Sequence, residues 1–154
     1  IDKKKVAGIF IILAAIVIIL ITSMPKNCSS DINCFNKEAG TCSKAEVNTL
    51  NNDNQYFYEV LGQKKDNCLI EVRLIKLSDS QTYDLKQALE GKSMICSVPK
   101  TTLQTQGINE ISSLNDMCSG QLKEAMLQVQ IDEMYEIIVK NIGPIAVEFR
   151  NSIK

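Results

Sequence analysis

Hydrophobic and polar positions follow different rhythms along this chain, and each rhythm predicts a different element. From Val6 to Thr22 the residues VAGIFIILAAIVIILIT contain no charge, no amide and no proline. As a helix this run covers roughly 25 Å, and Ser23, Met24 and snorkelling lysines extend it to the ~30 Å of a hydrocarbon core. It is apolar all round and rich in Ile and Val, so it has no polar stripe to turn toward water. The pattern predicts a single transmembrane helix over residues 6–23.

Residues 24–44 combine Pro, Gly, Ser, Asn and three cysteines without sustained periodicity, which predicts a stalk stapled by local disulfide bonding. Alternation then takes over. Ala45 to Leu50 alternates weakly, Asn51-Asn52-Asp53-Asn54 is a turn cluster, and Gln55 to Leu61 carries the β-favouring Tyr56, Phe57 and Tyr58. After a turn over Gly62 to Asn67, Cys68 to Leu77 places Ile70, Val72 and Leu74 on one face and Glu71 and Arg73 on the other. Alternation of this kind predicts an antiparallel meander with one buried face.

Ser78-Asp79-Ser80 offers an N-cap for a short helix through Leu85, Ala88 and Leu89, with Gly91 as its C′ residue. Lys92 to Val98 predicts another strand, stopped by Pro99, and a polar loop runs to about Ser113. Residues 114–142 predict the main helix, along which Leu122, Met126 and Val129 give way to Leu127, Ile131, Met134, Ile138 and Ile142. Gly143-Pro144 breaks it, and residues 145–154 fit a strand or a helix equally. The expected fold is α+β: an N-terminal transmembrane helix, then an antiparallel sheet of three to five strands packed by a short helix and a long C-terminal helix. The expected organisation is a basic stub and membrane helix over 1–23, a stalk over 24–44 and an extracytoplasmic domain over 45–154.

Charge gives the membrane segment a direction. Lys3, Lys4 and Lys5 precede it and only Lys26 follows closely, which places the N-terminus in the cytoplasm and the remainder across the membrane. A cleaved signal shares this layout, but Ile21-Thr22-Ser23-Met24-Pro25 offers no small-residue cleavage site. Pro-Lys-Asn before Cys28 is not a lipobox. The chain starts at Ile1, which keeps a processed, pilin-like filament subunit open as the alternative, with the apolar helix as a packing stem. Ala7-Gly8 before Ile9 loosely suits such processing, while the absence of a glutamate at the fifth position and the early Pro25 do not. Lys and Arg number 17 against 18 Asp and Glu. With the three leading lysines set aside the balance is mildly acidic, so no nucleic-acid or nucleotide partner is expected. The expected partners are membrane lipid through residues 6–23 and an envelope protein or a second copy of the chain.

Cys28, Cys34, Cys42, Cys68, Cys96 and Cys118 all follow the apolar run, and an even set on one side of a membrane fits an oxidising compartment. Cys28 and Cys34 can close a small loop. Cys42 and Cys68 fall at one end of the meander on strands flanking the middle one. Such strands lie ~10 Å apart whereas bridged Cα atoms lie nearer ~5.5 Å, so that pair requires a loop excursion at Cys42. Cys118, near the start of the long helix, can tether it to Cys96.

Chemistry is sparse. The chain has no histidine, no C-x-x-C and no Gly-rich phosphate loop, and Asp31-Ile-Asn33 lacks the rest of a calcium loop. No cofactor or metal is expected. Asp132, Glu133 and Glu136 cluster on the long helix, opposite its apolar stripe, where a solvated face is the expected role and a carboxylate hydrolase the remote one. Ser97-Val-Pro-Lys100 and Ser23-Met-Pro-Lys26 match S-x-x-K, but their prolines spoil the shared helix turn. Asn27-Cys28-Ser29 is a glycosylation sequon whose position beside the membrane predicts that it stays unused. The expected function is a disulfide-stabilised binding or structural domain at the cell surface, without catalysis.

Overall fold

The alternating middle of the chain forms the strands it predicts, and the structure, a computed structural model, describes residues 24–135. The membrane helix expected over 6–23, the end of the long helix and residues 145–154 lie outside the described residues. Among the described residues no helix is long and apolar enough to cross a membrane.

A six-stranded sheet runs in the order β1-β2-β3-β4-β5-β6. Its strands are β1 (Lys26–Asn27), β2 (Ala45–Asn51), β3 (Asn54–Lys64), β4 (Asn67–Lys76), β5 (Ser93–Pro99) and β6 (Cys118–Ser119). Strands β2 to β6 pair antiparallel, whereas β1 lies parallel to β2. The sheet is therefore mixed and larger than the expected three to five strands, because the two-residue edges β1 and β6 are too short to show alternation. The β2–β3 turn needs only Asn52 and Asp53, both at positive φ. This two-residue geometry matches the twist of the flanking strands and favours Asn and Asp.

Among the described residues four helices join the sheet: α1 (Ile32–Ala39), α2 (Tyr83–Leu89), α3 (Lys100–Thr105) and α4, which occupies 121–135. Residues 24–44 are not a stalk. Asp31 caps α1 by accepting from the amides of Asn33 and Cys34 at 2.9 and 3.2 Å. Phe35 and Ala39, one turn apart on α1, are fully buried. The Ser29 carbonyl then accepts from the Asn48 amide at 2.7 Å and locks the segment onto β2. An eight-residue helix with two inward positions leaves too little periodicity to recognise.

Three further boundaries differ from expectation. Thr82, not Ser78, caps α2 by accepting from the Leu85 amide at 3.4 Å, while Gly91 follows the helix at positive φ as expected. The segment expected as a polar loop contains α3 and a 3-10 turn over Ile108–Glu110. The long helix starts at 121 rather than 114, because Leu114–Met117 forms a second 3-10 turn and Cys118 lies on β6.

Buried side chains come from one face of the sheet and from the helices over it. Val47, Tyr58, Val72 and Met94 form one inward row across β2 to β5, and Val60, Ile70, Cys96 and Cys118 form the next across β3 to β6. Phe35, Leu103, Ile108 and Leu122 close over them. No polar or charged residue among those described is buried. The outer face carries Glu46, Glu59 and Glu71 in register, with Phe57 beside them beneath the Arg73 guanidinium at 5.5 Å. Arg73 also pairs with Glu71 at 3.0 Å.

Candidate functional site

All six cysteines are paired, as Cys28–Cys34, Cys42–Cys68 and Cys96–Cys118. The loop excursion that Cys42 requires is present: the chain turns after α1 with Cys42 at positive φ, which brings its Cα to 5.3 Å from that of Cys68. Cys96 and Cys118 face each other in the β5–β6 ladder, so this bridge pins a two-residue edge strand rather than the long helix.

A cavity of about 260 Å3 lies between the sheet and α4, bordered at Leu114 by the Cys96–Cys118 bridge, whose Cys118 Sγ lies 2.9 Å from the Leu114 carbonyl. Its floor is built by register: Tyr58, Val72 and Met94 in one cross-strand row, Tyr56 and Leu74 in the next. Leu122 and Met126, one helical turn apart on α4, form the roof. Ile108, Ile111 and Leu114 close one side, Leu77 and Leu89 close the end, and Asn51, Asn109 and Asn115 supply side-chain amides. None of the lining residues carries a charge.

Two glycines allow this enclosure. Gly120 stands at φ +128°, and a Cβ there would lie 3.1 Å from the Met94 Cα, so the chain can turn tightly over β5 into α4. A Cβ on Gly107 would meet the Asn36 side chain at 2.6 Å. Asn36 occupies that space because its Oδ1 accepts from the Ile108 amide at 3.1 Å, which ties the 3-10 turn to α1 and holds Ile108 inward.

The two cavity tyrosines are poor acids. Burial pushes the Tyr58 phenol up to about 12, with the neighbouring Tyr56 adding to the effect. Burial also raises Tyr56, partly offset by a hydrogen bond from Asn54. Both are neutral phenols at ordinary pH. The Tyr58 ring lies 6.0 Å from Phe35 and 6.2 Å from Tyr56, centroid to centroid, and no hydrogen bond to its hydroxyl occurs among the described residues.

The other sequence candidates lie elsewhere. Asp132 and Glu133 are exposed on α4 and border a separate open hollow with Asp84 and Thr82. Asp132 accepts from Gln128 at 2.9 Å, and Glu136 lies outside the described residues. Ser97 lies within β5 while Lys100 begins α3, so they share no helix face; Ser97 Oγ accepts instead from Asn67 at 3.0 Å. Ser23 is outside the described residues, and Lys26 pairs with Glu38 at 2.6 Å. The Asn27 side chain accepts from the Ser29 amide at 2.7 Å, beside the bridged Cys28. Of the aromatic run, Tyr56 and Tyr58 face inward and Phe57 outward. Sequence reasoning missed Ile108, Ile111 and Leu114, whose three-residue spacing inside an otherwise polar segment was the available signal.

Sheet, helices and bridges together define a disulfide-stabilised α+β domain with an uncharged cavity that opens to solvent beside the exposed Asn51, Asn109 and Asn115. No protein-family model matches the chain, and comparison with curated proteins and with solved structures gave no match.

Proposed function

We propose that this chain is an extracytoplasmic binding domain tethered to a membrane by residues 6–23, and that it acts by holding a ligand in its cavity rather than by chemistry. The observation that carries the reading is the pairing of all six cysteines within one fold, every one of them C-terminal to the apolar run. Disulfides persist in oxidising compartments, and the Lys3 to Lys5 cluster independently puts the same part of the chain outside the cytoplasm. The cavity supports binding over catalysis because it is lined by side chains without a nucleophile–base pair.

Two measurements on intact cells or vesicles test the tether and its direction. The chain should stay in the membrane pellet after carbonate extraction, and its cysteines should react with an impermeant maleimide only after an added reductant opens them. Release of the intact chain into the soluble fraction, or thiol labelling without reduction, would overturn the reading.

A further inference from the structure

We infer that the cavity between the sheet and α4 takes one small neutral aromatic molecule bearing a single hydrogen-bonding group, the chemical class of simple phenols and indoles. The inference rests on the binding reading above and adds the ligand's chemistry.

Size sets the upper bound. Protein interiors pack with few voids larger than a water molecule, and a cavity of about 150 Å3 already admits benzene. The space here is about 260 Å3, enough for one or two fused rings and too small for a typical drug-sized ligand. Charge sets the second bound. With no ionised side chain in the lining, a carboxylate or ammonium would enter without a partner, and such burial is strongly unfavourable.

The lining then selects shape and polarity. Met94 on the floor and Met126 in the roof place polarisable thioethers on two sides of the space, and thioethers make favourable contacts with aromatic rings. Tyr56 and Tyr58 border the same space. An aliphatic chain would fill the volume without making aromatic or thioether–ring contacts, whereas an aromatic ring makes both. One hydrogen bond fixes its orientation: the Tyr58 hydroxyl makes no hydrogen bond among the described residues and is not sealed from solvent, and Asn109 borders the same space. A phenol hydroxyl or indole N–H replaces water at such a group, whereas a ligand that displaces the water without replacing its hydrogen bond loses affinity.

The five methionines provide a reporter with its own control. The full chain, labelled at the methionine methyls with carbon-13 and placed in lipid nanodiscs, is titrated with p-cresol, indole and benzoate. The Met94 and Met126 methyl resonances should shift saturably with p-cresol and indole, Met117 and Met134 should stay in place, and benzoate should move none of the four. Tyr58→Phe should weaken p-cresol binding roughly two- to tenfold, as expected for one hydrogen bond, and leave toluene binding unchanged. Leu122→Phe, which fills the space from the roof, should abolish the shifts. Absence of saturable Met94 and Met126 shifts at millimolar p-cresol, equal binding of benzoate, or parallel movement of Met117 and Met134 would overturn the inference. Failure of the tether shows separately, as a chain that does not co-purify with the nanodisc.

Discussion

The core has two halves that meet at Tyr58, and they solve the same problem differently. Beneath α1 and α3, Phe35, Ala39, Ala45, Val60, Cys68, Ile70, Cys96 and Val98 are all at 0% exposure. All three disulfides belong to that half or its edges. Beneath α4, Tyr58, Leu77, Leu89, Met94 and Ile111 retain 5–8% exposure around an open cavity that Val72, Leu74, Ile108 and Leu122, at 1–3%, also line, and the Cys96–Cys118 bridge only borders it, at Leu114. The other two bridges and most of the fully buried side chains lie in the first half, and the hollow lies in the second. A small domain with limited apolar area gains much of its stability from such staples, so it can tolerate one loosely filled region. The contrast teaches that stability and binding are separated in space, and it gives mutations in the two halves different expected costs.

The largest difference should come from truncation. Phe35→Ala removes a fully buried ring from the sealed half and should cost about 3–5 kcal/mol, since the surrounding strands have no room to collapse. Met126→Ala, on a half-buried side chain that borders a cavity already present, should cost about 1 kcal/mol because it enlarges a void rather than creating one. Denaturant titration of both variants checks the pair. Equal costs would break the distinction between the halves.

Bridge removal sharpens it further. In the loop-closure model the Cys42–Cys68 bridge, at a sequence separation of 26, contributes about 3.5 kcal/mol, and Cys28–Cys34, at a separation of 6, about 2 kcal/mol. The double variants Cys42→Ala/Cys68→Ala and Cys28→Ala/Cys34→Ala should lose stability in that order by thermal unfolding. The p-cresol shift at Met94 should survive in the second variant, because neither Cys28 nor Cys34 lines the cavity.

This division was half visible in the sequence. The sealed half follows from strict alternation in β4 and from cysteine spacing, because period-two patterning and disulfide reach are local rules. α1 escaped because its two inward residues, Phe35 and Ala39, sit among Asn, Lys, Glu and Cys, so burial there depends on β2 and β3 rather than on its own pattern. The cavity half depends on tertiary context even more. Ile108, Ile111 and Leu114 lie in or beside short 3-10 turns, and the first of these turns is tied down at Ile108 by the Asn36 side chain far away in sequence. β6 is two residues long and exists because Cys118 is held to Cys96. On α4, Leu122, Met126 and Val129 face the domain, while Leu127, Ile131 and Met134 remain 48–62% exposed. The stripe was legible there, but which half of it is buried was not.

The junction itself is tested by pH. Tyr58 touches the sealed half through Phe35 and the hollow half through Tyr56, and its phenol is raised from 10.0 to about 12, mainly by burial. A folded-state value above the unfolded one means that this group's contribution is fully present below pH 10 and is lost as the pH rises toward 12. The unfolded chain releases its proton first across that window. The loss amounts to roughly 2–3 kcal/mol by linkage. Tyr58→Phe has no proton to release and should flatten the alkaline slope of stability relative to the unsubstituted chain, measured by denaturant unfolding at successive pH values. Lys76 is also raised, through its pair with Asp79, and loses its contribution in the same direction. It is fully exposed and common to both chains, so it leaves their difference intact. If Tyr58→Phe and the unsubstituted chain show the same slope, water already reaches the Tyr58 hydroxyl freely through the cavity, and the junction belongs to the hollow half alone.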